Sequence, residues 1–176
     1  PHVQNNRSNG DTYFIDHGQF SFTTWGRHIE SFCAFQNGLV FWRGAFWEDI
    51  EMTDDRPGRE LSFIGFIYST LEYILFINRY YDFIDIKPDI NLEISLAGCN
   101  GRKIVSKVPG VMVWDDYICR TDNINNIKVS FNVSESIADP KKYSTLILNQ
   151  VFPYFGFQLD STVQNDWQDK FLQKRF

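Results

Sequence analysis

The longest strongly apolar segment that no proline interrupts runs from Arg59 to Asp85. Five of its aliphatic residues fall close to the i, i+3, i+4, i+7 spacing of one helical face: Leu61, Ile64, Leu71, Ile74 and Leu75. Aromatic and aliphatic residues fill most of the remaining circumference, and Glu72 is the one formal charge between Leu61 and Ile77. This pattern predicts a long central helix over about 59–85.

A helix this apolar lies either in lipid or under protein on more than one side. A membrane span needs about 20 apolar residues in a row, and Glu72 would be costly inside one. We therefore predict a buried core helix. The sheet is expected to cover one side of it, and a second helix around Leu146–Val151, or a neighbouring chain, another.

Alternating aromatic segments before this helix predict strands. Tyr13–Ile15 is one candidate, and Phe20 and Phe22 alternate with polar residues in the next, 19–25. Asn37-Gly38 separates two β-prone segments, 29–36 and 39–47, and is typical of a two-residue hairpin turn. Gly44 could mark a bulge in the second of these strands.

The second half of the chain alternates again and then becomes helical. We predict strands at 90–97, 104–105, 111–114 and 127–133, with turns or loops at 98–101 and 122–126. A helix over about 140–152 should begin with Asp139 as N-cap and Pro140 at its first position. Val163, Trp167 and Phe171 are four residues apart and predict a short amphipathic C-terminal helix.

Strands and helices are segregated along the chain rather than alternating. This order predicts an α+β fold, in which a mostly antiparallel sheet packs on the long central helix. The expected organisation is a linker or extended arm at 1–12, a single domain at 13–160, and a C-terminal amphipathic helix or tail at 161–176.

Charge and cysteine content restrict the partners and the compartment. The formal net charge of −5 argues against unaided nucleic-acid binding, which needs a basic surface. Three cysteines without CxxC spacing are typical of buried thiols in a reducing compartment, so we expect a cytoplasmic protein, with one disulfide as the alternative. Because the chain opens with Pro1, we also expect a processed or excised piece, with the missing N-terminal part as a candidate location of the chemistry.

No segment carries a catalytic motif with the spacing that its chemistry needs. The acidic group between Glu48 and Asp55 lacks the alternation of a calcium loop, and a solvated loop explains it equally well. Asp115-Asp116 could serve a carboxylate-dependent reaction but is more typical of a polar turn. Cys33 and His28 would face opposite sides of an unbroken strand. We expect no catalytic residue, no metal and no cofactor.

The aromatic residues suggest a binding surface instead. Phe, Tyr and Trp make up 17% of the chain, and Trp and Arg are residues that protein interfaces favour. On the second hairpin strand, Trp42 should face opposite to Phe41 and Arg43. The candidate partner- or ligand-binding residues are Trp25, Arg27, Trp42, Arg43 and Trp47.

The order of elements resembles a known family. A strand opens at Gly18-Gln19-Phe20, an aromatic strand pair ends in an acidic turn, and a long helix precedes the strand Asn91–Gly98. This pattern, over roughly 13–160, is similar to the C-terminal region of bacterial proteins with an N-terminal Schlafen-like (AlbA-type) DNA-binding domain. The resemblance implies a C-terminal fragment of such a protein and supplies no catalytic residues.

Three functions are compatible with the sequence. The first is a non-enzymatic accessory or regulatory module of a larger bacterial protein, which binds a protein partner, or itself, through an aromatic sheet surface. The second is a small-ligand or sensor domain with an apolar pocket near Trp42 and Trp47. The third is a hydrolase or nuclease that uses the carboxylates of Glu48–Asp55 or Asp115-Asp116.

Overall fold

The computed structural model describes residues 3–5, 10–15, 18–25, 28–50 and 59–174, with side chains described at 18–22, 30–50 and 59–174. The described residues form antiparallel sheets and helices, which confirms the predicted α+β class. The contacts divide the chain into two compact units, unit 1 (1–57) and unit 2 (58–176). The boundary between these units does not coincide with the predicted boundaries near residues 12 and 160.

Unit 1 is a five-stranded antiparallel sheet whose strands follow one another in chain order. Its elements are β1 (Val3–Asn5), β2 (Gly10–Ile15), β3 (Gly18–Trp25), β4 (His28–Phe35), β5 (Val40–Gly44) and the short helix α1 (Trp47–Ile50). β1 pairs with β2, so this part of the predicted arm lies in the sheet. Most of the predicted acidic segment, from Glu48 to Asp55, falls outside the described residues.

The predicted hairpin forms between β4 and β5, but its loop has three residues rather than two. Phe35 N–H donates to Leu39 O at 2.8 Å, and Gly38 N–H donates to Phe35 O at 3.0 Å. Gly38 has a φ of 85°, the left-handed conformation in which glycine avoids a Cβ clash. A type I turn followed by a left-handed residue is the usual three-residue hairpin, so Gln36 joins the Asn-Gly pair in the loop.

Unit 2 contains the long helix, two short sheets and three further helices. Its elements are β6 (Glu60–Ser62), α2 (Phe63–Phe83), β7 (Asp89–Leu96), β8 (Lys103–Val105), β9 (Ile124–Asn132), α3 (Val133–Ala138), α4 (Pro140–Val151), a 3-10 turn (Phe152–Phe155) and α5 (Ser161–Leu172). β6 and β8 pair in parallel, whereas β7 and β9 pair antiparallel.

The long helix begins later than the apolar pattern predicts. Glu60–Ser62 is extended and pairs with β8. Ser62 is then the N-cap of α2, because its hydroxyl oxygen accepts from Gly65 N–H at 3.1 Å. Apolar residues at 61–64 fit a buried strand and a buried helix equally well, so periodicity alone could not separate them. Within the described residues, no helix has the length and apolarity needed to cross a membrane.

α2 is buried mainly along one face. Nine of its residues are buried: Phe63, Ile64, Phe66, Ile67, Thr70, Leu71, Ile74, Asn78 and Tyr81. α3, α4 and α5 all contact it, and α4 also packs against β9. The prediction that the helix around Leu146–Val151 covers α2 is therefore confirmed. Helices α3 and α5 cover further parts of α2.

Two local predictions in unit 2 are wrong. Residues 111–114 form an irregular loop instead of a strand, and Trp114 on it is 83% exposed. The predicted loop at 122–126 instead contains the start of β9, where the buried Ile124 pairs with Leu96 beyond a bulge. Asn126 has a φ of 63° at this bulge, which explains why a polar segment belongs to a strand.

α5 packs through buried glutamines rather than through the predicted apolar stripe. Gln164 and Gln168 are buried, Trp167 and Phe171 lie at the margin beside Tyr68, and Val163 is exposed. The polar atoms meet between α2, α4 and α5 in a chain of hydrogen bonds: Gln168 Nε2 to Ser144 Oγ at 3.2 Å and Ser144 Oγ to Thr70 Oγ1 at 2.8 Å. The two hydroxyls and the Gln168 amide nitrogen are paired, which makes their burial tolerable, whereas Gln168 Oε1 is buried without a hydrogen-bond partner among the described residues.

Asp160 is the N-cap of α5, and its pKa is expected to make the stability of α5 depend on pH. Its carboxylate accepts from Thr162 N–H at 2.8 Å and from Val163 N–H at 3.3 Å, and these backbone hydrogen bonds lower the pKa of Asp160 in the folded state. Since the folded pKa is depressed, the stabilisation is present above the unfolded pKa of about 4 and is lost as pH falls through the folded value.

Thermal unfolding from pH 7 to pH 2 tests this cap. D160A should lower the melting temperature at neutral pH, and the difference from the original chain should shrink in acid. D160N keeps an acceptor oxygen but has no titrating carboxylate at this position. The stability that the N-cap of this variant contributes should therefore not change with pH. A D160A difference that stays constant down to pH 2 would contradict the assignment.

Candidate protein-binding surface

One face of the unit 1 sheet collects phenylalanines from three strands. The strand register places Phe41, Cys33 and Phe20 side by side in one row. The next row contains Arg43, Ser31 and Phe22. We call the apolar members of this surface the phenylalanine face: Phe20, Phe22, Phe35, Leu39 and Phe41.

The phenylalanine face is open to solvent at its β5 edge. Leu39 is 58% exposed, Phe41 is 52% exposed, and Phe22 on β3 is 36% exposed. Phe20 and Phe35 are half-buried, and Arg43 is exposed beside Phe41 on the same face of β5. Directly opposite side chains on neighbouring antiparallel strands have Cβ atoms about 4.5–5.5 Å apart, so these residues form one continuous apolar surface.

The opposite face carries Trp42, whose indole is held in place. Its Nε1–H donates to Glu30 Oε1. The ring lies against Gly44, where an added Cβ would clash with the indole. Gly44 pairs with Glu30 in the regular ladder, so the predicted bulge is absent at this position. The glycine instead provides the space that the tryptophan occupies.

The predicted site residues do not form one cluster among the described residues. Trp42 and Arg43 face opposite sides of the sheet, as strand alternation requires. Trp47 is exposed at the start of α1. Trp25 pairs with His28 at the end of β3, and its side chain, like all of Arg27, lies outside the described residues. Their binding role stays a prediction.

The carboxylates at Asp115 and Asp116 have ordinary surface partners. Tyr117 Oη donates to Asp115 at 3.1 Å, and this hydrogen bond is the main reason that the pKa of Tyr117 is raised. Asp116 forms an ion pair with Lys103. All these groups lie at the surface. The arrangement stabilises an exposed turn and leaves neither carboxylate in a desolvated position suited to acid–base chemistry.

Metal ligands and reactive thiols are equally sparse in the described ranges. No group of three or more His, Cys, Asp or Glu side chains there could hold a metal ion. Glu48 and Asp49 lie in α1, whereas the rest of the acidic segment is outside those ranges. β4 runs unbroken from His28 to Phe35, and the side chain of His28 lies outside the described residues. The other two cysteines, Cys99 and Cys119, are buried and form no disulfide.

None of the five residues of the phenylalanine face is among the predicted site residues, which are tryptophans and arginines. The signal for this face was present, because Phe20 and Phe22 alternate on one strand and Leu39, Phe41 and Arg43 alternate on another. Only the strand pairing shows that these two sets share a face. Trp25 pairs with His28, and this register brings Phe20 opposite Cys33 and therefore into the same row as Phe41.

Comparison with protein-family models, with curated proteins and with solved structures finds no match to this chain. The candidate surface therefore depends on the geometry of its own residues. The resemblance to the C-terminal region of Schlafen-like proteins stays an expectation from the order of elements.

Proposed function

We propose that this chain is a non-enzymatic interaction module of a larger bacterial cytoplasmic protein, and that it binds a protein partner through the phenylalanine face. The observation that carries the proposal is the clustering of three exposed apolar side chains, Phe22, Leu39 and Phe41, on one side of the unit 1 sheet. Scattered exposed apolar residues are normal, but a contiguous group of them favours an interface.

The size and composition of the surface support a protein partner. A fully covered phenylalanine removes roughly 150–250 Å² from water, so the face could contribute a few hundred Å² of apolar contact area. Among the described side chains of unit 1, Ala34 is the only buried apolar one. The aromatic residues of unit 1 therefore retain surface that a partner could cover. Arg43 beside the face would suit an acidic group at the partner's rim.

The charge of the chain favours protein over nucleic acid as the partner. A formal net charge of −5 would oppose binding to a phosphate backbone. The resemblance in element order supports a place C-terminal to a Schlafen-like domain. The open reading frame around this sequence tests that part, because an N-terminal Schlafen-like domain is expected there and its absence would contradict it.

Site-specific photocrosslinking tests the surface itself. A photoreactive phenylalanine analogue at Phe41 should capture a defined protein in the host cell. The same analogue at Trp114, an exposed aromatic position in unit 2, provides the control. Equal capture at both positions would indicate non-specific adhesion and would reject the proposal.

Affinity for the captured protein then measures the contribution of the face. Removal of an interface hot spot costs at least about 2 kcal/mol, so the L39S/F41S double variant should bind at least about thirtyfold more weakly. W114S should bind like the original chain. Both variants change exposed residues and should unfold at similar temperatures. Unchanged binding by L39S/F41S would overturn the proposal.

A further inference from the structure

The two outer edges of the β7–β9 pair in unit 2 differ. The edge of β9 is covered by a side chain from α4, because Gln150 Nε2 donates to Lys128 O at 3.1 Å and Gln150 Oε1 accepts from Lys128 N–H at 3.2 Å. In this way a single amide replaces a neighbouring strand at Lys128. The same two bonds show that the backbone N–H and C=O of Lys128 point away from β7.

This orientation determines which groups β7 presents at its own outer edge. Glu93 lies opposite Lys128. Because the backbone groups of Lys128 point away from β7, the two residues form a non-hydrogen-bonded pair, and the backbone N–H and C=O of Glu93 also point away from the partner strand. Asn91 lies two residues away and points the same way. The hydrogen bond from Val133 N–H to Pro88 O, at 3.1 Å, supports this orientation. It shows that the backbone groups at even-numbered positions point toward β9, so those at odd-numbered positions point outward. No residue in the described part of the chain pairs with the backbone of Asn91 or Glu93.

An incomplete apolar layer lies along the same edge. Ile90, Leu92 and Ile94 on β7 are only half-buried. Their partners on β9 are buried: Phe131, Val129 and Ile127. A long edge strand with unpaired backbone groups and partly exposed aliphatic side chains is a template for a further strand.

We propose that the β7 edge pairs antiparallel with β7 of a second copy of this chain, which forms a four-stranded sheet across a two-fold axis. Pairing about such an axis must bring outward-pointing residues opposite each other. Two registers pair the largest number of residues in β7. One is centred on Leu92 and the other on Glu93.

Charge selects between these registers. The register centred on Glu93 would place two Glu93 carboxylates directly opposite each other, which is destabilising. The register centred on Leu92 places Asn91 opposite Glu93 of the second copy and Asp89 opposite Ser95. Its apolar side brings Leu92 against Leu92 and Ile90 against Ile94. The β7 sequence is therefore compatible with itself in one of its two longest registers.

The side chain of Asn91 is already oriented for this contact. Ser130 Oγ donates to Asn91 Oδ1 at 2.8 Å, which fixes the amide oxygen toward β9. The amide N–H groups then remain to donate to Glu93 of the second copy. Together with about eight ladder hydrogen bonds, these contacts provide a specific interface that does not use the phenylalanine face.

Sedimentation velocity of the full chain over a range of concentrations tests the dimer. The original chain should show a monomer–dimer equilibrium. E93P removes the outward N–H and places a ring where the second strand would approach, so it should weaken the dimer at least about tenfold. The monomer should still fold, because an edge strand tolerates proline at an outward-pointing position. E93A is the matched control, since it removes the same side chain but keeps the N–H; it loses the contact with Asn91 of the second copy and should therefore weaken the dimer, but clearly less than E93P does.

A charge change at Asn91 tests the register and does not depend on the folding of E93P. N91K places an ammonium group opposite Glu93 of the second copy at two symmetric positions and should tighten the dimer about two- to tenfold at low salt. N91E places like charges there and should weaken the dimer, with partial recovery at high salt. If both variants weaken the dimer equally, the register is wrong.

Other outcomes would reject the edge itself. A chain that remains monomeric at all concentrations overturns the proposal, as does a dimer that E93P leaves unchanged. A dimer that L39S/F41S dissociates and E93P does not would place self-association on the phenylalanine face. Conversely, loss of the dimer in E93P with partner binding intact would separate the two surfaces and support this one.

Discussion

L71A is expected to lower the free energy of unfolding of unit 2 by about 2–5 kcal/mol. Leu71 is fully buried on α2, in the helix face that α3, α4 and α5 surround. Truncation removes apolar contacts and leaves a cavity, because close-packed neighbours relax only partly. Hydrogen exchange of the α2 amides, followed by mass spectrometry, measures the effect on unit 2 separately from unit 1.

Glu72 supplies the matched control for this change. It is the next residue of the same helix but is exposed, so E72A should alter the protection of α2 by no more than about 0.5 kcal/mol. Equal effects of L71A and E72A would show that α2 is not packed as described.

R102L is expected to destabilise unit 2 by about 2–4 kcal/mol. Arg102 is only 2% exposed, and its guanidinium donates to Glu60 O at 2.7 Å through Nη1 and to Gly98 O at 3.3 Å through Nε. It thereby connects β6 to the turn before β8. Leucine would leave both carbonyl oxygens without these donors, while removal of a buried charge offsets part of the loss.

Two further variants define the cause. R102K keeps the charge but lacks the planar arrangement of donors that reaches two carbonyl groups, so it should also destabilise. R120L removes an exposed arginine and should have little effect. Chemical denaturation with circular dichroism detection measures all three. Stability of R102L within about 0.5 kcal/mol of the original chain would contradict the role of Arg102.

Local signals in the sequence were sufficient for several elements. Asp139 and Pro140 define the start of α4, where Asp139 Oδ1 accepts from Lys142 N–H at 3.2 Å. The alternation at 127–133 correctly gives Ile127, Val129 and Phe131 as buried positions of β9. These predictions succeeded because capping and strand alternation depend on residues a few positions apart.

Predictions failed where distant residues decide the local conformation. Glu60–Ser62 becomes a strand because β8 lies some forty residues ahead to pair with it. Gln168 is buried on α5 because Ser144 on α4 accepts from its amide, and Ser144 is itself paired with Thr70 on α2. The exposed loop at 111–114 has strand-like residues but pairs with no strand in the described part of the chain.

The sequence by itself determined the α+β class, the long apolar helix and an aromatic-rich, acidic chain. The apolar segment at 59–85 was correctly interpreted as a protein core. Tertiary structure decided which aromatics share a face and which strand edge stays open, because both depend on strand register. A shift of one residue moves every side chain to the opposite face. The phenylalanine face and the β7 edge therefore became visible only once the strands were paired.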